Sequence, residues 1–583
     1  MKKSYETNKK VKISIVFFIF LIITIFLIFT IFGINGSDKK TPKLKITNID
    51  YGIRGAIKSS DFFSLAISKT LYQATIYKKY LDPQKQEVFI DLFSKYTGID
   101  KDTLKEKLLE DNNYIVLAKN LTLTQAKFLK ELKYDLIKLK VFKPVKKGGI
   151  VIGLDITEYK KVRDYPLKDT LTPYLGYVRY DKDGTPYGKY GLELYYENLL
   201  KYNSNKILTG QRDRRGIIIR DKKNNLTPKK NGFDIITNIK LKLQKNIEHI
   251  LDIQREKLSA KEIVAAVMDS KSGKIIAIAS SRRYNPAHIE SVDPLSISAI
   301  RYIYEPGSVI KPIFFSLLLE DKKVNTQEII NTHNGRYRLS NGKVVTDEHR
   351  YPFLSAEDVI VHSSNVGMSV LSTRSNPLAL IDGFERFGFS KRTGIDLSYE
   401  LSGTIPNVTD LQNTVILANL SYGYKIRVTF IQLLNAYNAF NNDGKTMTPK
   451  IANTKVTDKD EYELIEPIKP HRVLSEKTAH TINNILQNVV QRGTGQAAKT
   501  EGIIIGGKTG TAQRTFKGRY IRSYNSSFFG FANDTSGHKY TVGVLVIEPE
   551  PKGFVHFASQ SAVPTFKMIV EEMIQQKMLI PFK

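Results

Sequence analysis

The sequence predicts an α+β protein carried on one membrane helix, with a mixed Lys- and Tyr-rich region leading into a larger domain of helices packed on an antiparallel sheet. Three observations carry this reading: a long apolar run near the N-terminus, strand-like pairs near residue 265 and again near the C-terminus, and helix-patterned segments between those pairs. The 583 residues exceed one small module and fit two or three folded units. Apolar residues at 41% and charged residues at 25% exclude a wholly disordered chain and a polytopic membrane protein.

Residues 13–34, ISIVFFIFLIITIFLIFTIFGI, carry no charge, and as a helix they span ~33 Å, enough to cross a bilayer core. Lys2, Lys3, Lys9, Lys10 and Lys12 against the single Glu6 put residues 1–12 in the cytoplasm and the chain after Asn35 outside. The apolar region is too long for a cleaved signal peptide and no Ala-x-Ala-like site follows, so an uncleaved single-pass anchor is expected.

Residues 35–235 are mixed in period. Helical patches are expected at 59–80 and 103–110, and a turn at Asp183-Gly184 leads to a helix-like run after Gly191. No catalytic signature falls here. From residue 236 to 583 the texture changes: an amphipathic helix over 241–258 precedes IVAAVMDSKSGKIIAIAS, two apolar runs about a Ser-Gly turn that predict a hairpin. SSFFGFAND and KYTVGVLVIEP form a second strand pair, followed by a helix over 562–578 with Pro564 in its first turn. The net charge of +30 raises nucleic acid as a partner, but Lys is scattered among Ile, Asn and Tyr in every segment rather than gathered in a stripe, which excludes that class. The absence of Cys excludes disulfides, thiolate metal sites and Cys nucleophiles.

Three short motifs bear chemistry. In YEPGSVIKPIFF, Pro306-Gly307 makes a turn and Ser308 opens an apolar helix, with Lys311 one turn on. Positions i and i+3 share a helix face, so the amine reaches the hydroxyl, and a Lys held neutral by burial or nearby positive charge serves as its base. Ser-x-x-Lys alone is weak, since it recurs at Ser37–Lys40, Ser340–Lys343 and Ser536–Lys539 among charges and turn residues that suit surface loops. In HSSNVGMS, Ser363, Ser364 and Asn365 follow the helix-like LSAEDVIV, and a helix cap accounts for them as well as catalysis does. In IIIGGKTGTAQ a buried strand leads through two glycines to Lys508, Thr509, Gly510 and Thr511, placing a cation and two hydroxyls on one edge, suited to a carboxylate. A Gly-rich turn with an exposed Lys is the plain alternative. A nucleotide-binding loop is disfavoured because the Gly-x-x-x-x-Gly spacing is missing.

The order and separations, roughly 55 residues from Ser308 to Ser363 and roughly 200 to Lys508, match a known active-site set. The chain resembles the penicillin-binding protein and serine β-lactamase superfamily, whose three elements meet between a helical subdomain and a five-stranded sheet. Arg54-Gly55, GKYGLE at 188–193, Thr393-Gly394-Ile395-Asp396 and Leu420–Gly423 before Thr429 extend the resemblance to class B penicillin-binding proteins over most of the chain beyond the anchor. That class implies an elongated non-catalytic pedestal over 35–235, a transpeptidase domain over 236–583 and no glycosyltransferase domain. Lys58-Ser59-Ser60-Asp61 and Ile236-Thr237-Asn238-Ile239 depart from the class pattern and leave the catalytic motifs intact. Tyr304-Glu305-Pro306-Gly307-Ser308 and Lys508-Thr509-Gly510-Thr511 look more like the septal, division-specific branch than the elongation-specific one.

The resemblance implies a peptidoglycan D,D-transpeptidase of the bacterial inner membrane with a periplasmic catalytic domain. Ser308 would be the nucleophile, Lys311 its base, Ser363 and Lys508 a proton relay, and Asn365 a holder of the substrate amide. Thr509, Gly510 and Thr511 would bind the terminal carboxylate, and the N–H groups of Ser308 and Thr511 would form the oxyanion hole. The implied partners are D-Ala-D-Ala stem peptides, β-lactams, a membrane-embedded glycosyltransferase and other division proteins; neither a metal nor an organic cofactor is required. A catalytically silent scaffold is the reading from another class.

Overall fold

The computed structural model describes residues 2–35, 45–144, 152–182, 184–211, 218–219, 221, 225–289, 296–457, 459–550 and 556–582. Asp183 of the expected turn and the Ser37–Lys40 motif lie outside the described residues. The chain divides into two units, one of residues 1–51 with 204–229 and the other holding the rest.

The smaller unit contains the helix Lys2–Asn35 and a three-stranded antiparallel sheet of Lys45–Asp50, Lys206–Gln211 and Asn225–Thr227. The stretch Asn8–Gly33 is long and apolar enough to cross a membrane. Both of its threonine hydroxyls are folded back on the backbone, Thr24 donating to the Phe20 carbonyl at 2.8 Å and Thr30 to that of Phe26 at 2.8 Å, so neither of these presents an unmet donor to an apolar surrounding.

In the larger unit, the strand Ser64–Tyr77 pairs with Ile57–Lys58 through its first residues and with Tyr114–Leu121 and Leu154–Asp164 along the rest of its length. This corrects the helix expected over 59–80. The segment is rich in β-branched and aromatic residues (Ile67, Thr70, Tyr72, Thr75, Ile76), and cross-strand pairing along its length outweighs its loosely helical apolar spacing. The expected helix over 103–110 is found at Lys101–Leu109, capped by the Asp100 carboxylate. It packs with Gln86–Thr97 and Leu123–Lys138 about Phe89, Phe93, Leu104 and Leu129. The sheet continues through Asp234–Thr237 to Ala452–Val456 and Tyr462–Leu464, so strands from far apart in the chain share one hydrogen-bonded surface across residue 235. Arg54 and Glu193, from two of the class B motifs, meet there in a buried node. Arg54 Nε lies 2.9 Å from one Glu193 oxygen and Arg163 Nε 2.6 Å from the other, while Arg54 Nη1 reaches Glu197 at 2.7 Å.

A second sheet has five antiparallel strands in the order Ile275–Ser280, Glu262–Asp269, Lys539–Ile547, Arg519–Asn533 and Ile504–Phe516, and both predicted strand pairs are part of it. Alternation sorts its side chains into two cores. Ala265, Val267, Phe528 and Val544 face the helices Leu241–Lys257 and Ala562–Gln575, while Ala266, Met268, Phe529 and Leu545 join Phe430, Leu434 and Tyr437 of the helical subdomain. The helix Lys311–Glu320 is buried along eight consecutive residues, Lys311–Leu318, of which only Lys311 and Ser316 are polar.

Candidate active site

The nucleophile turn is built by backbone approach. Gly307 has φ 61 and donates its N–H to the Gly423 carbonyl at 3.1 Å. A Cβ on Gly307 would lie 3.2 Å from the Thr511 carbonyl, and one on Gly423, itself at φ 92, only 2.0 Å from the Gly307 carbonyl oxygen. Glycine at both positions lets a turn of the helical subdomain sit directly on the edge strand. Ser308, half-buried, occupies the 3-10 turn Gly307–Ile310, and Lys311 begins the α-helix that follows; the Tyr437 hydroxyl donates to the Val309 carbonyl at 2.7 Å and pins the turn.

Lys311 is fully buried and, among the described residues, has no carboxylate in hydrogen-bond contact. Its amine donates to the Ser363 carbonyl at 2.6 Å and lies 3.1 Å from the Ser363 hydroxyl. Burial brings its proton affinity down from the ordinary lysine range to about 7, against a smaller opposing pull from Asp347. Ser363 owes its position to the way two helices abut. Ala356–Val361 ends with Ser363 N–H on the Ile360 carbonyl at 3.1 Å and Ser364 N–H on the Val359 carbonyl at 2.9 Å, a Schellman closure with Ser363 in the left-handed position at φ 59. The next residue, Ser364, caps Asn365–Ser372 by accepting the Gly367 N–H at 2.8 Å. The helix-cap reading of HSSN therefore holds for Ser364, while Ser363 is turned out toward Lys311. Asn365 opens that helix with its side-chain amide donating to the Thr346 carbonyl at 3.2 Å.

The third motif lies on the edge strand. Lys508 is fully buried, and its amine contacts the Thr509 carbonyl and hydroxyl, each at 3.2 Å. Burial first, and the Lys311 charge second, push it well below the usual lysine range. Two amines this close and this dry resist being protonated together. The Thr509 hydroxyl also meets that of Thr494 at 2.8 Å; Thr511 Oγ1 accepts the Ala558 N–H at 3.1 Å, which leaves its own O–H to donate; Gly510 sits between them, opposite Ser527. The turn at Ser308, the Ser363 link and the edge strand thus converge. Ser340–Lys343 is a hairpin turn and Ser536–Lys539 a loop entering a strand, as expected of the weaker Ser-x-x-Lys matches. Sequence reasoning missed Thr494 and Asp347. Asp347 Oδ1 accepts the N–H groups of Asn365 at 2.6 Å and Val366 at 2.9 Å, and nothing in TDEHRYPF distinguishes this acid from its charged neighbours.

Comparison with known proteins agrees with this geometry. The profile of the penicillin-binding protein dimerisation domain matches residues 49–237, and that of the penicillin binding protein transpeptidase domain matches residues 263–571. The chain belongs to the class B penicillin-binding proteins. Among its relatives, stage V sporulation protein D of Bacillus subtilis is 31% identical over 461 residues, 76% of this chain and 68% of the relative. Peptidoglycan D,D-transpeptidase FtsI of Buchnera aphidicola is 27% identical over 549 residues, covering 92% of this chain and 89% of the relative. Among solved structures, penicillin binding protein 2X of Streptococcus thermophilus superposes with a TM-score of 0.74 at 21% identity, over 91% of this chain and 81% of that one. Penicillin binding protein 3 of Mycobacterium tuberculosis, complexed with aztreonam, gives 0.66 at 22% identity over 92% and 98%. This penicillin-binding protein is an enzyme, a serine-type D,D-transpeptidase acting in peptidoglycan synthesis.

Proposed function

We propose that this transpeptidase crosslinks peptidoglycan stem peptides in septal wall synthesis through an acyl-enzyme on Ser308. The buried Lys311 amine, held at Ser363 and brought down to about 7, carries the reading, because it is a base available near neutral pH without a metal or a histidine. Ser308 Oγ attacks the penultimate D-Ala carbonyl of the donor while Lys311 takes its proton. The N–H groups of Ser308 and Thr511 receive the oxyanion, at about 3 to 4 kcal/mol for each such donor in related chemistry. Ser363, with Lys508 behind it, passes a proton to the leaving D-Ala nitrogen. Asn365 holds the substrate amide, and Thr509, Gly510 and Thr511 with Lys508 receive the terminal carboxylate. An amine of a neighbouring strand then displaces Ser308 and closes the crosslink. β-Lactams, which imitate D-Ala-D-Ala, acylate the same oxygen and leave it slowly.

The proposed organisation is a cytoplasmic tail at 1–12, a membrane span at 13–34, a pedestal at 35–235 and a periplasmic catalytic domain at 236–583 on the inner membrane. The pedestal and span would meet a membrane-embedded glycosyltransferase and other division proteins. Tyr304-Glu305-Pro306-Gly307-Ser308 and Lys508-Thr509-Gly510-Thr511 support the septal branch.

The deciding experiment is fluorescent penicillin labelling of the full chain beside Ser308→Ala, with peptide mass mapping of the adduct. The expected result is one adduct on Ser308 that is lost in the variant; folded protein without an adduct would instead favour a scaffold. Fluorescent labelling in cells separates the branches, midcell signal supporting the septal role and lateral-wall signal the elongation role.

A further inference from the structure

Asp347 belongs to none of the motifs, yet it stands where two of them join. It follows the short strand Val344–Thr346, which pairs with Arg336–Arg338, and its own N–H donates to the Gly335 carbonyl at 3.0 Å, so its backbone is held by the hairpin. Besides the N–H groups of Asn365 and Val366 on Oδ1, its carboxylate takes the Ser364 hydroxyl on Oδ2 at 2.5 Å. All three donors lie at the start of the helix Asn365–Ser372, where a negative charge is favoured by the free N–H groups. The two-residue link Ser363-Ser364 is thereby fastened from outside, and its left-handed residue is the one that touches Lys311. The charged groups that face Lys311 are Asp347 from this loop and Lys508 from the edge strand, and Asp347 is the negative one.

We propose that Asp347 is a positioning residue for the acyl transfer: it locks the turn that aims Ser363 and Asn365 at the nucleophile, and it supplies the negative charge that balances the buried Lys311 amine. The inference rests on the Ser308 reading above. Position and charge are separable. Asp347→Asn keeps an oxygen for the two N–H groups and removes the charge together with the acceptor of the Ser364 hydroxyl; Ser364→Ala removes that same bond and the cap on Gly367 but keeps the charge, so a shift of the limb seen in the first variant alone reads the charge.

The test is the acylation rate constant of the full chain in detergent with fluorescent penicillin from pH 5 to 9, with thermal unfolding of each variant. In Asp347→Asn the acid limb moves to lower pH by at least about half a unit, because the protonated amine has lost its counter-charge. Ser364→Ala lowers the plateau about fivefold and leaves the limb where it was. Asp347→Ala lowers the plateau about 100-fold, since the link is freed. An acid limb in Asp347→Asn at the wild-type midpoint, or a Ser364→Ala plateau equal to wild type, overturns the proposal; a merely structural Asp347 would lower rates without moving the limb. The Lys311 amine is also titrated by NMR in lysine-labelled Ser308→Ala chain with and without Asp347→Asn, where a lower midpoint supports the proposal and an unchanged one overturns it. Failure of the wild type to form an adduct would count against the Ser308 reading alone, because the titration still decides Asp347.

Discussion

Ser363 occupies a position that helices ordinarily give to glycine, and a side chain there strains the backbone by about 1 kcal/mol. The strain has an evident return, since the Cβ at that left-handed residue is what carries a hydroxyl to within 3.1 Å of the Lys311 amine. Ser363→Gly is therefore expected to fold at least as stably as wild type, read by thermal unfolding, while its penicillin acylation falls by about 100-fold. The pH dependence follows from Lys311. Its proton affinity is lowered in the fold to about 7, so the amine is charged below that pH and unable to take the Ser308 proton. Acylation is expected to rise through about pH 7 and level off above it; a rate flat from pH 5 to 9 would count against Lys311 as the base. The same sign holds for stability: the unfolded chain binds the proton more tightly between about 7 and the ordinary lysine range, so this residue's contribution to stability improves as pH rises through that window. At this scale the sequence disclosed which residue types gather but not their division of labour. Ser363 and Ser364 are chemically alike, and only the closing geometry of Ala356–Val361 turns one toward the Lys311 amine and the other to a helix cap.

The strand Ile504–Phe516 and the turn Gly307–Ile310 hold the site as a pair of elements, and Gly423 is the spacer that permits their approach. Gly423→Ala would bring a Cβ against the Gly307 carbonyl from a backbone conformation alanine disfavours, so the variant is expected to lose on the order of 2 kcal/mol of stability and to slow acylation. Denaturant unfolding and penicillin labelling read the two effects separately, and an unchanged labelling rate would argue that the turn tolerates displacement. Elements were most legible where one signal sufficed. The Ser-Gly turn between the runs at 262–269 and 275–280 fixes a hairpin locally, and the helical patch at 103–110 falls within two residues of the helix Lys101–Leu109. Ser64–Tyr77 was not legible, because its strand character comes from partners as distant as the pairs Tyr77 with Tyr114 and Ile67 with Asp164, 37 and 97 residues apart.

At the scale of the molecule, the motif residues outside the catalytic site act as joints. Glu193 satisfies two arginines with no exposed side-chain surface left on the acid, and Tyr196 donates at 2.8 Å to Asp396, whose carboxylate also takes the N–H groups of Ile451 and Ala452 at 2.7 Å each. Arg54-Gly55, GKYGLE and Thr393-Gly394-Ile395-Asp396 are spread over more than 300 residues of sequence and find their meaning only in these contacts. Glu193→Ala leaves the buried Arg163 without its counter-charge and Arg54 with Glu197 alone, and a loss of about 3 to 5 kcal/mol is expected in chemical unfolding. Stability within 1 kcal/mol of wild type would show that water replaces the carboxylate.

The central strand of the catalytic sheet, Lys539–Ile547, is synthesised some 270 residues after its neighbour Glu262–Asp269. Until that late strand arrives, Glu262–Asp269 can hydrogen-bond only to Ile275–Ser280 and presents an open apolar edge, while Asp234–Thr237 waits likewise for Ala452–Val456. Folding at this contact distance is slow, and an interrupted chain exposes sticky strand edges rather than a smaller working enzyme. No nascent chain that stops before residue 539 consequently has a completed cleft in which to be acylated.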